Sequence, residues 1–146
     1  MKNNNEIKKL NNKGFSLVEL IIVIAIMAVL IGVLAPQYLK YVDKSRKSAD
    51  LDTVDSMISA IEIYSSDPDY AVVTGTLTCV AGKVTPSGAT GTAGTVADAL
   101  SKAGISIDSS KQLMKYSKYQ KWVITFAEDG ITFDSDGATL KADLGR

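Results

Sequence analysis

The dominant feature of the sequence is an uninterrupted apolar run near its beginning. Sixteen consecutive residues, Leu20 to Ala35, have neither a charge nor a strongly hydrogen-bonding side chain. Extended back to Phe15, the run matches the ~20 residues that a helix rising ~1.5 Å per residue needs to cross a hydrocarbon core. Its only polar side chains are Ser16 and Glu19. The pattern predicts a membrane-spanning helix.

The polarity pattern changes after this run, but the helix is predicted to continue. Because Pro36 lacks an N–H donor and clashes one turn back, we expect a bend or loosened turn between Gly32 and Pro36. Apolar residues then recur at the i, i+3, i+4, i+7 spacing of an amphipathic helix that packs on another element. Asp67-Pro68 is predicted to end this helix near Ser66, since the residue before a proline disfavours helical conformation. The members of the apolar stripe are Leu51, Val54, Met57, Ile58, Ile61 and Tyr64.

Charged residues accompany the stripe between residues 37 and 55. Asp43 and Lys47 stand at i,i+4 spacing, as do Arg46 and Asp50, so each pair could interact along the helix. These charges predict a solvated helix face, with contacts between neighbouring subunits as the functional alternative.

The rest of the chain predicts a small head. Residues 70–95 are rich in Gly, Thr and Ser and predict a long surface loop with one short strand at residues 77–81. A short helix follows, capped by Thr95 and stopped by Gly104.

Two alternating segments near the end of the chain predict an antiparallel pair of strands. They are residues 121–127 and 130–133, joined by a turn at residues 128–130. Residues 134–137 predict another turn, and residues 138–140 a last strand. The predicted fold class is α+β, with a long N-terminal helix packed against a small antiparallel sheet.

The predicted organisation has four parts. They are a leader at residues 1–14, a hydrophobic transmembrane helix at 15–38, its amphipathic continuation at 39–66 and a globular head at 67–146.

Charge is distributed unevenly, although the net charge of the 146-residue chain is zero. The leader has four lysines against one glutamate, and the remainder has 12 Lys and Arg against 15 Asp and Glu. A basic segment before the apolar run predicts that the leader stays in the cytoplasm and that the head is exported. The balanced charge gives no field that would favour nucleic-acid binding.

The composition excludes several kinds of chemistry. The chain has no histidine, which rules out histidine-based catalytic triads and the common zinc sites. No nucleotide-binding loop, activated nucleophile or metal cluster stands out, so the sequence predicts no enzyme activity, no cofactor and no metal site. Cys79 is the single cysteine, which makes an intramolecular disulfide impossible. It is predicted to be a small apolar filler, with a reactive thiol or an intersubunit bond as the alternative.

Glu19 is the one charged residue within the apolar segment, where a carboxylate is costly. One hypothesis is a capping box in which Ser16 is the N-cap and Glu19 reaches back to a backbone N–H. The other is that cleavage after Gly14 gives Phe15 an α-amine, mostly protonated at neutral pH, with which Glu19 pairs. The two hypotheses are compatible.

The segment KGFSLVEL at residues 13–20, with a basic leader before it and the apolar run after it, resembles the class III signal of type IV prepilins. The resemblance is specific over residues 13–36 and otherwise rests on architecture. It implies cleavage between Gly14 and Phe15 by a prepilin peptidase and N-methylation of Phe15. It also implies that Glu19 pairs with the Phe15 amine of a neighbouring subunit during assembly.

The same resemblance implies a structural subunit, not an enzyme. The chain would be a single-pass membrane protein before assembly. Membrane-bound assembly machinery would then polymerise it with copies of itself into an extracellular filament for motility, adhesion or biofilm formation. In this family a proline at the place of Pro36 marks where the helix can loosen in the filament. The lone Cys79 departs from the two cysteines that close a C-terminal loop in many Gram-negative members, which favours a Gram-positive type pilin or a minor subunit.

Several alternatives stay open. A pseudopilin of a type II secretion system shares the leader and the helix, and a minor pilin could serve DNA uptake or adhesion. An uncleaved signal anchor explains the charge bias but neither Gly14-Phe15 nor Glu19. An ordinary secretory signal would be cut after Ala35, where the following Pro36 is poorly tolerated.

Two side-chain clusters in the head are weaker candidates for a binding site. Asp134-x-Asp136-Gly137 is similar to part of a calcium loop but lacks the other ligands, so it predicts a turn. Asp67 and Asp69 are assigned to helix termination rather than to a cation. A second cluster interleaves lysines with aromatic residues and predicts a solvated strand edge, with DNA or an acidic neighbour as alternative partners. Its members are Lys111, Lys115, Lys118, Lys121, Tyr116, Tyr119 and Trp122.

Overall fold

A computed structural model describes residues Gly14–Arg146, and the predicted leader up to Lys13 lies outside them. The chain divides into two compact units, the first ending at Lys40 and the second comprising Tyr41–Arg146. The fold is α+β, as the sequence predicts, with one long helix and one antiparallel four-stranded sheet.

Helix α1 runs from Leu17 to Ser66. It begins one residue after the predicted N-cap and ends immediately before Asp67-Pro68, so both predicted boundaries are confirmed. Pro36 lies inside the helix, which is not interrupted there. The bend predicted between Gly32 and Pro36 stays a prediction.

The sheet of the second unit contains four strands in the order β2-β1-β3-β4, and all neighbours are antiparallel. The predicted pair at residues 121–127 and 130–133 is confirmed residue for residue, because its apolar alternation and its Gly-containing turn are both local signals. The strands are β1 (Gly75–Val80), β2 (Lys83–Pro86), β3 (Lys121–Ala127) and β4 (Gly130–Phe133).

The long loop predicted at residues 70–95 is partly wrong, because β1 and β2 form a hairpin within it. Leu77 and Cys79 on β1 and Val84 on β2 are fully buried, so three inward positions pack the hairpin on the core. Its outward residues are mostly threonine and lysine, with Val80 exposed. Ala81 and Gly82 have φ angles of 52° and 76°. Two left-handed residues in succession are typical of the tight turn that suits the twist of a hairpin.

The short helix predicted around Thr95 is confirmed as α2, Val96–Lys102. The Thr95 hydroxyl accepts the N–H of Asp98 at 3.2 Å. Gly104 follows the helix with a φ of 77°, which favours glycine because it has no Cβ. The N–H of Ile105 then bonds the Leu100 carbonyl at 2.8 Å, which completes a Schellman ending.

The last strand predicted at residues 138–140 is wrong, because this segment is helix α3, Ala138–Leu144. Leu140 is buried and Leu144, one turn later, packs partly against the core. Residues four apart lie on the same face of a helix, so both leucines can reach the core only if the segment is helical. Gly145, with a φ of 72°, ends it.

The core of the second unit lies between α1 and the sheet. The stripe predicted on α1 is confirmed, since Val54 and Ile58 are fully buried and its other members pack in or against the same cluster. The largest fully buried side chains supplied by the rest of the unit are Trp122, Tyr119, Leu77, Leu100, Met114, Ile124 and Leu140.

Candidate processing and assembly site

The first turn of α1 contains the predicted capping contact. Glu19 Oε2 accepts the backbone N–H of Ser16 at 2.8 Å, and Ser16 Oγ accepts the N–H of Val18 at 3.4 Å. These bonds satisfy donors that a helix N-terminus otherwise leaves without a partner. The capping hypothesis therefore holds for the chain with its leader attached, while pairing of Glu19 with a Phe15 amine stays a prediction.

The bond between Gly14 and Phe15 lies just before this turn. Both residues are exposed, and 92% of the Phe15 surface is accessible. A Cβ added to Gly14 would meet no atom within 4 Å. No side chain of the described residues therefore fixes the identity of residue 14 through packing.

The first unit presents an apolar helix surface. Residues 14–40 are all exposed, although residues 20–35 are entirely apolar. By length and composition α1 is the one helix among the described residues that could cross a membrane, with a mean hydropathy of 3.1 over its most apolar 18 residues. So large an exposed apolar surface marks a membrane or protein contact.

Polar contacts fasten α1 to the rest of the second unit. Asp50, only 3% exposed, accepts the backbone N–H groups of Lys115 and Tyr116 at 2.8 and 2.7 Å through one carboxylate oxygen. Lys47 Nζ lies 2.7 Å from Asp143 Oδ1. The predicted i,i+4 pairs along the helix are therefore wrong. Lys47 pairs with Asp143 and not with Asp43, and Asp50 binds backbone N–H groups and not Arg46.

Asp143 also contacts the short 3-10 helix at Ser117–Tyr119, because it accepts a hydrogen bond from the Tyr119 hydroxyl. Hydrogen bonds from Lys47 and from the Tyr119 hydroxyl lower the pKa of Asp143 below its usual range. Burial, together with the same Asp143 bond, raises the pKa of Tyr119. Arg46 lies 4.0 Å from Asp43, one turn earlier on the exposed side of α1.

A second polar cluster lies where α2 meets the end of α1. Asp98 is 2% exposed and accepts hydrogen bonds from the Gly91 N–H at 2.9 Å and the Tyr64 hydroxyl at 3.0 Å. Lys102 Nζ lies 3.2 Å from the same carboxylate. Burial alone would raise the pKa of Asp98, but these three partners outweigh it and the pKa is lowered.

Sequence reasoning missed Asp50 and Asp98 as structural carboxylates, although both had a readable signal. Asp50 stands in phase with the apolar stripe, four residues before Val54, so it points to the core side of the helix. Asp98 is the third residue of α2 after the Thr95 cap, where an acidic side chain is favoured.

The lysine and aromatic cluster is not the predicted strand edge. Strand β3, which Lys121 begins, is central in the sheet, and Tyr119 and Trp122 are fully buried in the core. Tyr116 is partly buried and packs edge-on against Tyr119 with their ring centroids 4.9 Å apart. The two buried rings cannot stack on bases. The lysines of the cluster, in contrast, are exposed.

The two candidate cation loops are turns. Asp134 Oδ1 accepts the N–H groups of Val123 and Gly137 at 2.9 and 2.8 Å, and Asp136 pairs with Lys121 at 2.6 Å. Asp67 accepts the N–H of Asp69 at 3.0 Å. Within residues 14–146, no three acidic or cysteine side chains come together as metal ligands.

Cys79 is an apolar filler, as predicted. It is fully buried, and its Sγ lies 3.6 Å from the Tyr119 carbonyl oxygen. Burial raises the pKa of the thiol to about 11, which keeps it protonated and unreactive at neutral pH.

Comparison with known proteins finds matches to part of the chain. Residues 9–35 match the family model described as the prokaryotic N-terminal methylation motif. Three curated proteins named Type IV major fimbrial protein FimA, from Dichelobacter nodosus, are each 42% identical to the chain over 50 residues, or 34% of its length. The chain spans about a third of the length of these relatives, 31 to 32%. No solved structure matches the chain significantly.

The motif and the exposed apolar helix fit a membrane-anchored precursor and an extracellular pilus filament. Type IV pilins are a structural family rather than an enzyme class. The methylation motif, the similarity to a major fimbrial protein and the α+β fold with its long apolar N-terminal helix together make the chain similar to type IV pilins.

Proposed function

We propose that the protein is a structural subunit of a type IV pilus, made as a prepilin and polymerised with copies of itself into a surface filament. The observation that supports this most strongly is the first unit, an apolar helix that is exposed along its whole described length and has one charge, Glu19, before Lys40 at its end. Such a helix is stable in a membrane before assembly and among other copies of itself afterwards. Prepilin peptidase and the membrane-bound assembly machinery are the proposed partners.

Processing is proposed to cut the exposed Gly14–Phe15 bond. Hydrolysis would leave a carboxylate on Gly14 and an amine on Phe15. This amine is mostly protonated at neutral pH, both before and after its methylation. The product helix would then begin with a positive charge four residues before Glu19.

The carboxylate of Glu19 has room for a second donor. Its Oε2 is bonded to Ser16, and within the described residues no donor is bonded to Oε1. A carboxylate can accept several hydrogen bonds, so capping of one chain and binding of the Phe15 amine of a neighbour are compatible. In an apolar filament core this charge pair would set the register between subunits, because an unpaired charge there is costly.

Substitution of Gly14 tests the cleavage proposal. Gly14→Val has open space around it, so a defect would reflect peptidase recognition and not misfolding. We expect the leader to be retained on all membrane-bound protein, detected by intact mass. Gly32→Ala, also in open space, is the control and should be processed normally. Wild-type processing of Gly14→Val would refute the proposed cut.

Two substitutions of Glu19 separate its proposed roles. Glu19→Gln keeps an oxygen that can cap Ser16 but removes the charge, and Glu19→Ala removes both. If charge pairing with Phe15 drives assembly, both variants insert in the membrane and neither yields normal fibres. If capping alone matters, Glu19→Gln assembles like the wild type, which would contradict the pairing proposal.

The uses of the filament are part of the same proposal. Motility, adhesion and biofilm formation are checked by comparing a strain that lacks the chain with one in which the chain is restored. A strain unchanged in all three would leave the filament without these roles.

A further inference from the structure

The second unit has exposed charges of opposite sign at its two ends, and we propose that the heads of successive copies dock end to end through these charges. The inference rests on the proposed function, because it assigns a contact between heads in the filament. The basic end is defined by Lys83, Lys115 and Lys118. The acidic end is defined by the exposed Asp69, Glu128 and Asp129 and by the half-buried Asp67.

The basic end lies where β3 begins. Val80 pairs with both Lys83 and Lys121, so the β1–β2 turn and the start of β3 are neighbours. The N–H of Met114 bonds the Gly82 carbonyl at 2.9 Å, which holds Lys115 beside the same turn. Lys118 belongs to the 3-10 helix just before β3.

These lysines have no partner in their own unit. Lys83, Lys115 and Lys118 are exposed, and no carboxylate of the described residues lies within 4.0 Å of their amines. Two other lysines nearby are neutralised, Lys111 by Asp108 at 3.4 Å and Lys121 by Asp136 at 2.6 Å. The net positive charge of this end therefore comes from three amines without an ion pair, of which Lys118 also acts on Asp143 at longer range.

The acidic end lies where β3 finishes. Glu128 and Asp129 form the β3–β4 turn, and a cleft of about 340 Å³ between that turn and the end of α1 is lined by Ser66, Val72 and Glu128. Asp67 and Asp69 directly follow α1. In the described part of the chain no Lys or Arg lies within 4.0 Å of these four carboxylates, whereas Glu62 nearby is paired with Arg146 at 2.7 Å.

The two ends are separated by the length of β3. Seven residues at ~3.3 Å each give about 20 Å between them. At that distance salt screens their attraction within one unit, so each end stays available to an opposite charge on another molecule.

The opposite charges of the two ends indicate that the partner is a second copy of the chain. Each end repels its own copy and attracts the other end, so two heads that meet end to end do so head-to-tail. A head-to-tail contact propagates into an open polymer, which is what a filament requires. An anionic membrane or a nucleic acid would account for the basic end but would leave the acidic end without a role.

The test uses charge reversal at each end in the full chain. One variant has Lys115→Glu with Lys118→Glu, and the other has Glu128→Lys with Asp129→Lys. Each places like charges against each other, and we expect the yield of sheared fibres to fall about tenfold or more. The combined four-fold variant has both ends reversed, is again self-complementary, and is expected to recover fibres.

Co-expression gives the decisive result. The basic end of the second variant matches the acidic end of the first, and the converse also holds, so the two variants should form mixed fibres although neither does alone. Lys141→Glu is the matched control, since Lys141 lies over the Phe133 ring opposite the middle of β3, and it should leave fibre yield unchanged. Fluorescence of the buried Trp122 verifies that each variant is folded.

Three outcomes would overturn the inference. They are normal fibres from both reversed variants, failure of the four-fold variant with its fold intact, and absence of mixed fibres on co-expression. If the basic end bound lipid or nucleic acid instead, reversal of that end would not be rescued by reversal of the other. A wild-type chain that forms no fibre would refute the proposed function itself, which is a distinct result.

Discussion

Replacement of Asp50 by alanine tests how the second half of α1 is fastened to the sheet. Asp50 is buried on the apolar side of the helix and accepts two backbone N–H groups, those of Lys115 and Tyr116. Asp50→Ala removes the acceptor from both donors without changing the helix, since alanine is the best helix former.

The magnitude follows from the two lost bonds. A buried donor without an acceptor costs about 1–3 kcal/mol, and the bonds to a charged oxygen are among the stronger ones. Because the donors are only partly buried, and because the variant no longer buries a carboxylate, we expect the free energy of unfolding to fall by about 2–4 kcal/mol. With a urea slope of about 1–3 kcal/mol per molar, the unfolding midpoint should fall by roughly 0.7–4 M.

The assay is urea unfolding of the full chain in detergent, followed by tryptophan fluorescence. Trp122 is the only tryptophan and is fully buried, so it reports on the second unit alone. Asp52→Ala is the matched control, because Asp52 is exposed on the same helix, and it should change the free energy by less than about 0.5 kcal/mol. A loss for Asp50→Ala as small as that of the control would refute the reasoning.

Three further predictions use the same unfolding assay or a chemical probe. Cys79, whose pKa burial raises to about 11, should resist iodoacetamide at pH 7.5 in the folded chain and react after unfolding in urea; rapid labelling of folded protein would contradict its burial. The pKa of Asp143 lies below its usual 3.8, so its contribution is complete above that value and is lost as pH falls through the lowered pKa. Asp143→Asn should therefore flatten the decline of the urea midpoint below about pH 4, and an unchanged decline would exclude this role. At the β1–β2 turn, Ala81→Gly should stabilise by about 0.5–1 kcal/mol because it relieves a left-handed φ of 52°. Gly82→Ala should destabilise, because its Cβ would lie 2.5 Å from the Met114 carbonyl oxygen, and stabilities in the reverse order would contradict the turn geometry.

The parts of the fold that could be read from the sequence have local signals. Helix α1 follows from an apolar run and then a stripe at helical spacing, and its end from Asp67-Pro68. Strands β3 and β4 follow from alternation around a turn that contains Gly130. Helix α2 has both a cap and a stop within ten residues.

The β1–β2 hairpin and helix α3, which the sequence did not predict correctly, are determined by the residues that pack against them. The threonines of β1 and β2 resemble loop composition, and only the burial of Leu77 and Val84 beneath them shows a hairpin. Residues 138–140 are too few to distinguish a strand from the first turn of α3. The position of Leu140 in the core decides between them.

The candidate processing site could be predicted from the sequence, whereas the polar contacts of the second unit could not. Gly14, Phe15 and Glu19 lie within six residues, just before and within the first turn of α1. Lys47 and Asp143, in contrast, are 96 residues apart. A pairing at that separation follows from the tertiary fold, and the local i,i+4 rule assigned Lys47 to the wrong carboxylate.

The measurement that most directly tests the central claim is the N-terminal sequence and intact mass of the chain in fibres sheared from cells. The proposed function predicts a sedimentable fibre whose subunits begin at Phe15, with one methyl group on its amine. Subunits that still begin at Met1, or a processed chain that never enters a fibre, would contradict it.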